Sequence, residues 1–205
     1  MVFCAILMAS SNIFFISAIK STSVANVVLI FGTSALFSSF FAYLLYKERI
    51  SRNIIVASFF MFIGLFIIFS DSLGVGNLLG NIYALLCTST FSFSFVLLAK
   101  YTKISRVVLT ALTGLFLSLI TIILTDSIII DMNNFLIIAI MGLLITPISR
   151  VLIGNGTKYI NASEVSLLMI IETIMAPIWV WLFSTVTLIS NAFIGGSICI
   201  AMVVI

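Results

Sequence analysis

Eight apolar runs fill most of this chain, at roughly 2–19, 24–46, 54–70, 77–99, 107–125, 134–157, 163–184 and 191–205. Most reach about 20 residues, enough at 1.5 Å per residue to cross a hydrocarbon core roughly 30 Å thick. If each run crosses, the connections alternate sides and the nine Lys and Arg can be sorted between the two. Lys47, Arg49 and Arg52 fall on the same side as Lys100, Lys103 and Arg106, and Arg150 and Lys158 lie toward that side as well. Only Lys20 lies opposite. Basic residues in short loops mark the cytoplasmic face. A wrong count would scramble this parity, so the sorting supports both the number of helices and their orientation, and it predicts both termini in the cytoplasm.

Composition leads to the same class. Hydrophobic residues make up 63% of the chain and charged residues 7%, with a mean hydropathy of +1.40. A soluble domain carries about 25% charged residues, and it has no place for so many helices that are apolar all round. Period-two alternation broken by turn clusters is missing, which argues against a membrane β-barrel. The fold class expected is therefore all-α, a polytopic helical membrane protein of about eight spans whose first partner is the lipid bilayer. Residues 1–19 have no basic n-region and no clear cleavage site, so they read as a span and not as a signal peptide.

Several function classes drop out. The basic residues are spread over three loops without a dense cluster, so no nucleic-acid partner is expected. Histidine is absent, which removes His-based metal sites and His general bases, and no HExxH or GxSxG motif is present. An enzyme is not expected, nor a cofactor or a metal. Cys4, Cys87 and Cys199 all sit inside apolar runs and read as small buried hydrophobes, not as a disulfide framework. No P-loop occurs, so any transport would draw on an ion gradient or on exchange. No GxxxG spacing lies wholly within one of the runs, so no dimerisation motif is evident and oligomeric state stays open.

An internal repeat organises the runs. Ile19-Lys20-Ser21-Thr22-Ser23-Val24-Ala25-Asn26-Val27 lines up with Thr157-Lys158-Tyr159-Ile160-Asn161-Ala162-Ser163-Glu164-Val165, at an offset of 158 − 20 = 138. The three matching pairs of runs are each five helices apart. An odd-numbered unit places its second copy upside down, as in inverted-repeat secondary transporters. Residues 1–72 read as an incomplete first repeat, holding its third to fifth helices, and 77–205 as a complete second one. The second begins near 77, so its partner would begin near 77 − 138 = −61, ahead of Met1. Either about sixty residues and two helices precede this sequence, or the chain is naturally short.

The paired motifs resemble a known family. Thr22-Ser23-Val24-Ala25-Asn26-Val27-Val28-Leu29-Ile30, then Leu45-Tyr46-Lys47-Glu48-Arg49-Ile50-Ser51, resembles the end of the first repeat of EamA-type permeases of the drug/metabolite transporter superfamily. Ala162-Ser163-Glu164-Val165-Ser166-Leu167-Leu168, Glu172-Thr173 and Ala176-Pro177-Ile178-Trp179-Val180-Trp181-Leu182 resemble the matching part of the second. The resemblance implies a ten-helix, 5+5 inverted-repeat fold in a bacterial inner membrane. It also implies a central cavity that moves a small-molecule substrate, a metabolite or drug, by alternating access. The pattern departs in two places: the first two helices are not in the sequence, and Ser184-Thr185-Val186-Thr187 stands where the first repeat has Lys47-Glu48-Arg49. A truncated, inactive remnant or a partial subunit is the alternative.

The pathway candidates come from polar residues inside runs. Glu172 lies eight residues beyond Glu164, about 12 Å further along a helix; an ionisable group at that depth is a functional candidate by default. Arg150 lies eleven residues before Asn161 and Glu172 eleven after it, so a tight hairpin puts the two at one depth. Thr146, Arg150, Gly154 and Thr157 share one face by i, i+4 and i+3 spacing. One reading has Arg150 and Glu172 lining the pathway, with Arg150 receiving an anionic group and Glu172 taking up a coupling proton. The others are a structural pair, or an Arg150 that snorkels to the surface. Under the repeat, Arg150 matches Asn12 and Glu172 matches Ser34, so Ser10, Ser11, Asn12, Thr33 and Ser34 offer a neutral half of the cavity, or plain interhelical hydrogen bonding. Pro147 and Pro177 are expected to kink their helices.

Overall fold

The computed structural model describes residues 1–47, 52–69, 77–124 and 132–169. Among them the order is α1 (Val2–Ser21), α2 (Val24–Phe31), α3 (Ser34–Tyr46), α4 (Arg52–Phe69), α5 (Leu78–Lys100), α6 (Arg106–Leu124) and α7 (Met132–Ile140). A π-helical turn, Met141–Ile145, then leads into α8 (Thr146–Gly156), and 162–169 form a further helix, α9. Among the described residues, five stretches are long and apolar enough to cross a membrane: Val2–Ser21, Val24–Tyr46, Leu78–Lys100, Arg106–Ile123 and Phe135–Gly156. The chain is an integral membrane protein of apolar helices, with no strand among the described residues. The last two runs, apart from 163–169, lie outside the described residues, and with them Glu172 and Pro177.

Local chemistry sets the helix boundaries. Ser23 caps α2 by accepting from the Asn26 backbone N–H at 3.2 Å, and Asn77 caps α5 by accepting from that of Leu79 at 3.2 Å. At the start of α9, Glu164 reaches back and accepts from the Asn161 backbone N–H at 3.3 Å. Ser23 and Glu164 are each one half of a capping box at their own helix, Ser23 the N-cap acceptor of α2 and Glu164 the reach-back acceptor of α9. Lys47 ends α3 in the left-handed region, φ 54, where helices usually place glycine.

Two spans are interrupted. The run 24–46 turns at Gly32–Thr33, where the Thr33 N–H and hydroxyl both bond the Ile30 carbonyl, at 3.1 and 2.6 Å. A Cβ at Gly32 would lie 2.5 Å from Leu65 Cδ1 of α4, so that side chain would have to shift to admit one. The second interruption is the π turn just before Pro147. Proline has no N–H to donate and its ring crowds the carbonyl four residues back, and a wider turn relieves both.

Helix α5 is the axis of the packing, with α1, α2 and α3 laid against it, while α1 also packs on α6 and α6 on α8. Close approach depends on small side chains: Ala5, Ala9, Ala18 and Ala35 are fully buried, and a Cβ on Gly80 of α5 would lie 2.8 Å from the Thr22 nitrogen. Larger buried residues form a cluster of Phe91, Phe95, Val96, Ala162 and Val165, with Phe91 and Phe95 rings 4.4 Å apart. Leu98, Leu109, Cys4 and Ala5 make a second. Many large apolar side chains face outward, Ile123 and Leu143 among them. Lipid is as apolar as leucine, so van der Waals packing and interhelical hydrogen bonds hold such helices together.

Candidate substrate cavity

A cavity of about 160 Å³ opens between α1, α5, α6, the π turn and α8. Each wall has a local origin. On α1, Asn12 donates its side-chain amide to the Met8 carbonyl at 2.7 Å, which fixes the rotamer and turns Oδ1 away from its own helix. On α6, Arg106, Thr110, Thr113, Gly114 and Leu117 all line the cavity, as their i, i+4, i+7, i+8 and i+11 spacing on one face allows. Gly142 of the π turn and Thr146, Pro147, Arg150, Ile153 and Gly154 of α8 close the far side.

Two arginines line this cavity, and their guanidinium groups are held differently. Arg150 donates from Nη2 to Asn12 Oδ1 at 3.2 Å, across from α8 to α1. Arg106 is 4% exposed. Its Nη2 donates to the Leu98 carbonyl at 2.9 Å and to Thr157 Oγ1 at 3.2 Å, and its Nη1 to the Tyr101 carbonyl at 3.4 Å. Leu98 and Tyr101 belong to the last turn of α5 and its C-cap, where orphan carbonyls collect and a cation is favoured. Gly154 leaves the room for the arginine stem, since a Cβ there would touch Arg106 Cδ and Leu98 Cδ2 at 3.6 and 3.7 Å. Among the described lining residues, the charged groups are these two arginines.

The structure thus brings Asn12, Thr146 and Arg150 onto one cavity. Ser34 lies elsewhere, fully buried between α3 and α5, with its carbonyl accepting from Ser92 Oγ at 2.9 Å. Ser11 donates to the Met8 carbonyl of its own helix at 3.0 Å, and Thr33, in the turn after α2, to the Ile30 carbonyl at 2.6 Å. Glu172 lies outside the described residues. Two serine pairs tie α3 to α9, Ser38 to Ser166 at 2.9 Å and Ser39 to Ser163 at 2.8 Å.

Arg106 escapes the sequence reading, which counts it among the loop charges that mark the cytoplasmic side. A signal was present in the threonines and glycine that follow it at helical spacing, and in Gly154 and Thr157 one turn apart on the facing helix.

Comparison with known proteins bears on this arrangement. Residues 1–70 match the model of the EamA-like transporter family. An uncharacterized transporter of Clostridium kluyveri is 27% identical over 191 residues, which cover 87% of this chain and 61% of that protein. The chain therefore spans about three fifths of the length of the curated relative it matches. A protein of known crystal structure superposes with a TM-score of 0.82 at 15% identity, over 95% of this chain and 72% of that one, and so shares the fold. The first 70 residues are thus similar to the EamA-like transporter family, and the chain as a whole is similar to a protein named as a transporter.

Proposed function

We propose that this chain works as a secondary transporter of small metabolites or drugs, carrying them by alternating access through the cavity between α1, α5, α6 and α8. The observation that carries the reading is the meeting of Asn12 and Arg150 at the cavity wall. They are 138 residues apart, the offset of the internal repeat. Equivalent residues of an inverted repeat touch only where the pseudo-two-fold axis passes between them, and substrates of such transporters bind at the repeat interface. The caps give the same offset further support, because Ser23 opens α2 and Asn161 precedes α9. On this reading 1–72 and 77–205 are the two repeats, both termini are cytoplasmic in a bacterial inner membrane, and Glu172 takes up the coupling proton.

The test is uptake and efflux in proteoliposomes across a metabolite panel, with and without a pH gradient. It is run for this 205-residue chain and for a version carrying any upstream coding sequence. Transport that follows the gradient, and loses that dependence in Glu172→Gln, supports the reading. Transport by the longer form alone makes these residues part of a larger carrier. Silence from both favours an inactive remnant.

A further inference from the structure

We infer that the cavity is a binding site for a small organic monocarboxylate, held through its carboxylate by Arg106. This deepens the transporter reading and rests on it for its biological use, but it is argued from the cavity itself.

Arg106 is a buried cation whose acceptors are all neutral: two backbone carbonyls and the hydroxyl of Thr157. Its Nε–H has no acceptor among the described residues. A buried charge is stable only when it is paired and its donors are satisfied, and carbonyls satisfy donors without cancelling charge. The described residues lining the cavity include no carboxylate that would do so. An anion entering the cavity answers both needs, since a carboxylate oxygen accepts from a guanidinium in a short charge-assisted bond.

Charge and size then narrow the class. Arg106 commits three of its five N–H donors to the protein, which leaves Nε–H, one N–H of Nη1 and one positive charge to offer, while Arg150 on the same wall is engaged with Asn12. That suits a monoanion better than a phosphate dianion, which presents more acceptor sites and is costlier to desolvate. Met8, Phe95, Leu109, Leu117 and Ile153 give the rest of the wall an apolar character. The volume of about 160 Å³ is several times the roughly 10–15 Å³ that one water needs on the same measure. A branched or linear acid of a few carbons fits, with its tail among these side chains.

Titration calorimetry on the purified full chain in nanodiscs tests this, with isovalerate, its amide, isoamylamine and inorganic phosphate as probes. Isovalerate is expected to bind, with the amide and the amine at least tenfold weaker. Arg106→Gln should weaken isovalerate at least tenfold. Because Arg106 also braces α5 against α8, Gly114→Leu supplies an independent arm. A Cβ at Gly114 meets nothing within 4 Å, so the larger side chain fills the cavity without disturbing the packing and should abolish isovalerate binding. Equal binding of the amide, tighter binding of phosphate, or undiminished isovalerate binding by Gly114→Leu overturns the assignment. Isovalerate binding without transport of any compound in vesicles would sink the transporter reading and leave the site standing. Transport of neutral or cationic compounds without isovalerate binding would do the reverse.

Discussion

Arg106 and Arg150 line the same cavity from opposite circumstances. In the sequence Arg106 sits at the edge of an apolar run, in company with Lys100 and Lys103, whereas Arg150 lies well inside one. In the structure Arg106 is buried and tied to the end of α5 and to Thr157, while Arg150 is exposed on α8 and reaches Asn12. Position along a span is therefore a poor guide to burial. What decides is whether neighbouring helices supply acceptors and space, and at Arg106 the end of α5 supplies the first and Gly154 the second.

The largest expected effect follows from that difference. Arg106→Met keeps the stem but strands the Leu98 carbonyl in a buried place and removes the donor to Thr157, whose hydroxyl keeps its bond to the Gly154 carbonyl. It should lower stability by about 3 kcal/mol, given the cost of unsatisfied buried groups and of lost bonds from a charged donor. Arg150→Met should cost clearly less, because its site is exposed and water or lipid headgroups can replace lost contacts. Chemical unfolding in detergent micelles reads both. Equal losses would break the contrast between the two sites.

Gly154 offers a smaller, sharper probe. An added Cβ there meets Arg106 and Leu98 at ordinary van der Waals distances, so Gly154→Ala should be close to neutral. Gly154→Leu must push into the arginine stem and should cost about 2 kcal/mol, in the range for overpacking. The penalty should shrink in an Arg106→Met background, since both changes act on one contact. An unchanged penalty there would mean that Gly154 matters for some other reason.

These residues also show what the sequence could and could not convey. The apolar runs and the need for a helix break near Pro147 were legible, because hydropathy and the missing proline N–H act locally. The turn at Gly32 was not, since part of what surrounds it, Leu65 of α4, comes from another helix that no local pattern reveals. Of the face expected from helical spacing, Thr146, Arg150, Gly154 and Thr157, the first three line the cavity, while Thr157 lies outside that lining and bonds Arg106. Ser34 could not be placed from spacing, because its depth in the bundle is set by α5, whose Ser92 it meets. Arg106 was hidden by a rule that is sound for most loop charges: Lys and Arg near span ends usually meet water. Only the packing of α6 against α8 takes this one out of it.

The smallest expected effect concerns the Asn12–Arg150 contact, and it bears most directly on the repeat. One interhelical hydrogen bond in a membrane protein contributes about 0.6 kcal/mol on average. Asn12→Ala should therefore barely change stability, and a double-mutant cycle with Arg150→Met should return a coupling of about that size. Transport is the more telling readout. If the two residues straddle a pseudo-two-fold axis, they lie where one repeat moves against the other, and the contact is made in inward- and outward-facing forms alike. Asn12→Asp would turn it into an ion pair that holds both forms equally, so the balance between them, read by cysteine accessibility from each side of the vesicle, should not shift. A strong shift toward one form would mean that the contact belongs to that form alone, and the equivalence of positions 12 and 150 would then be a coincidence of numbering.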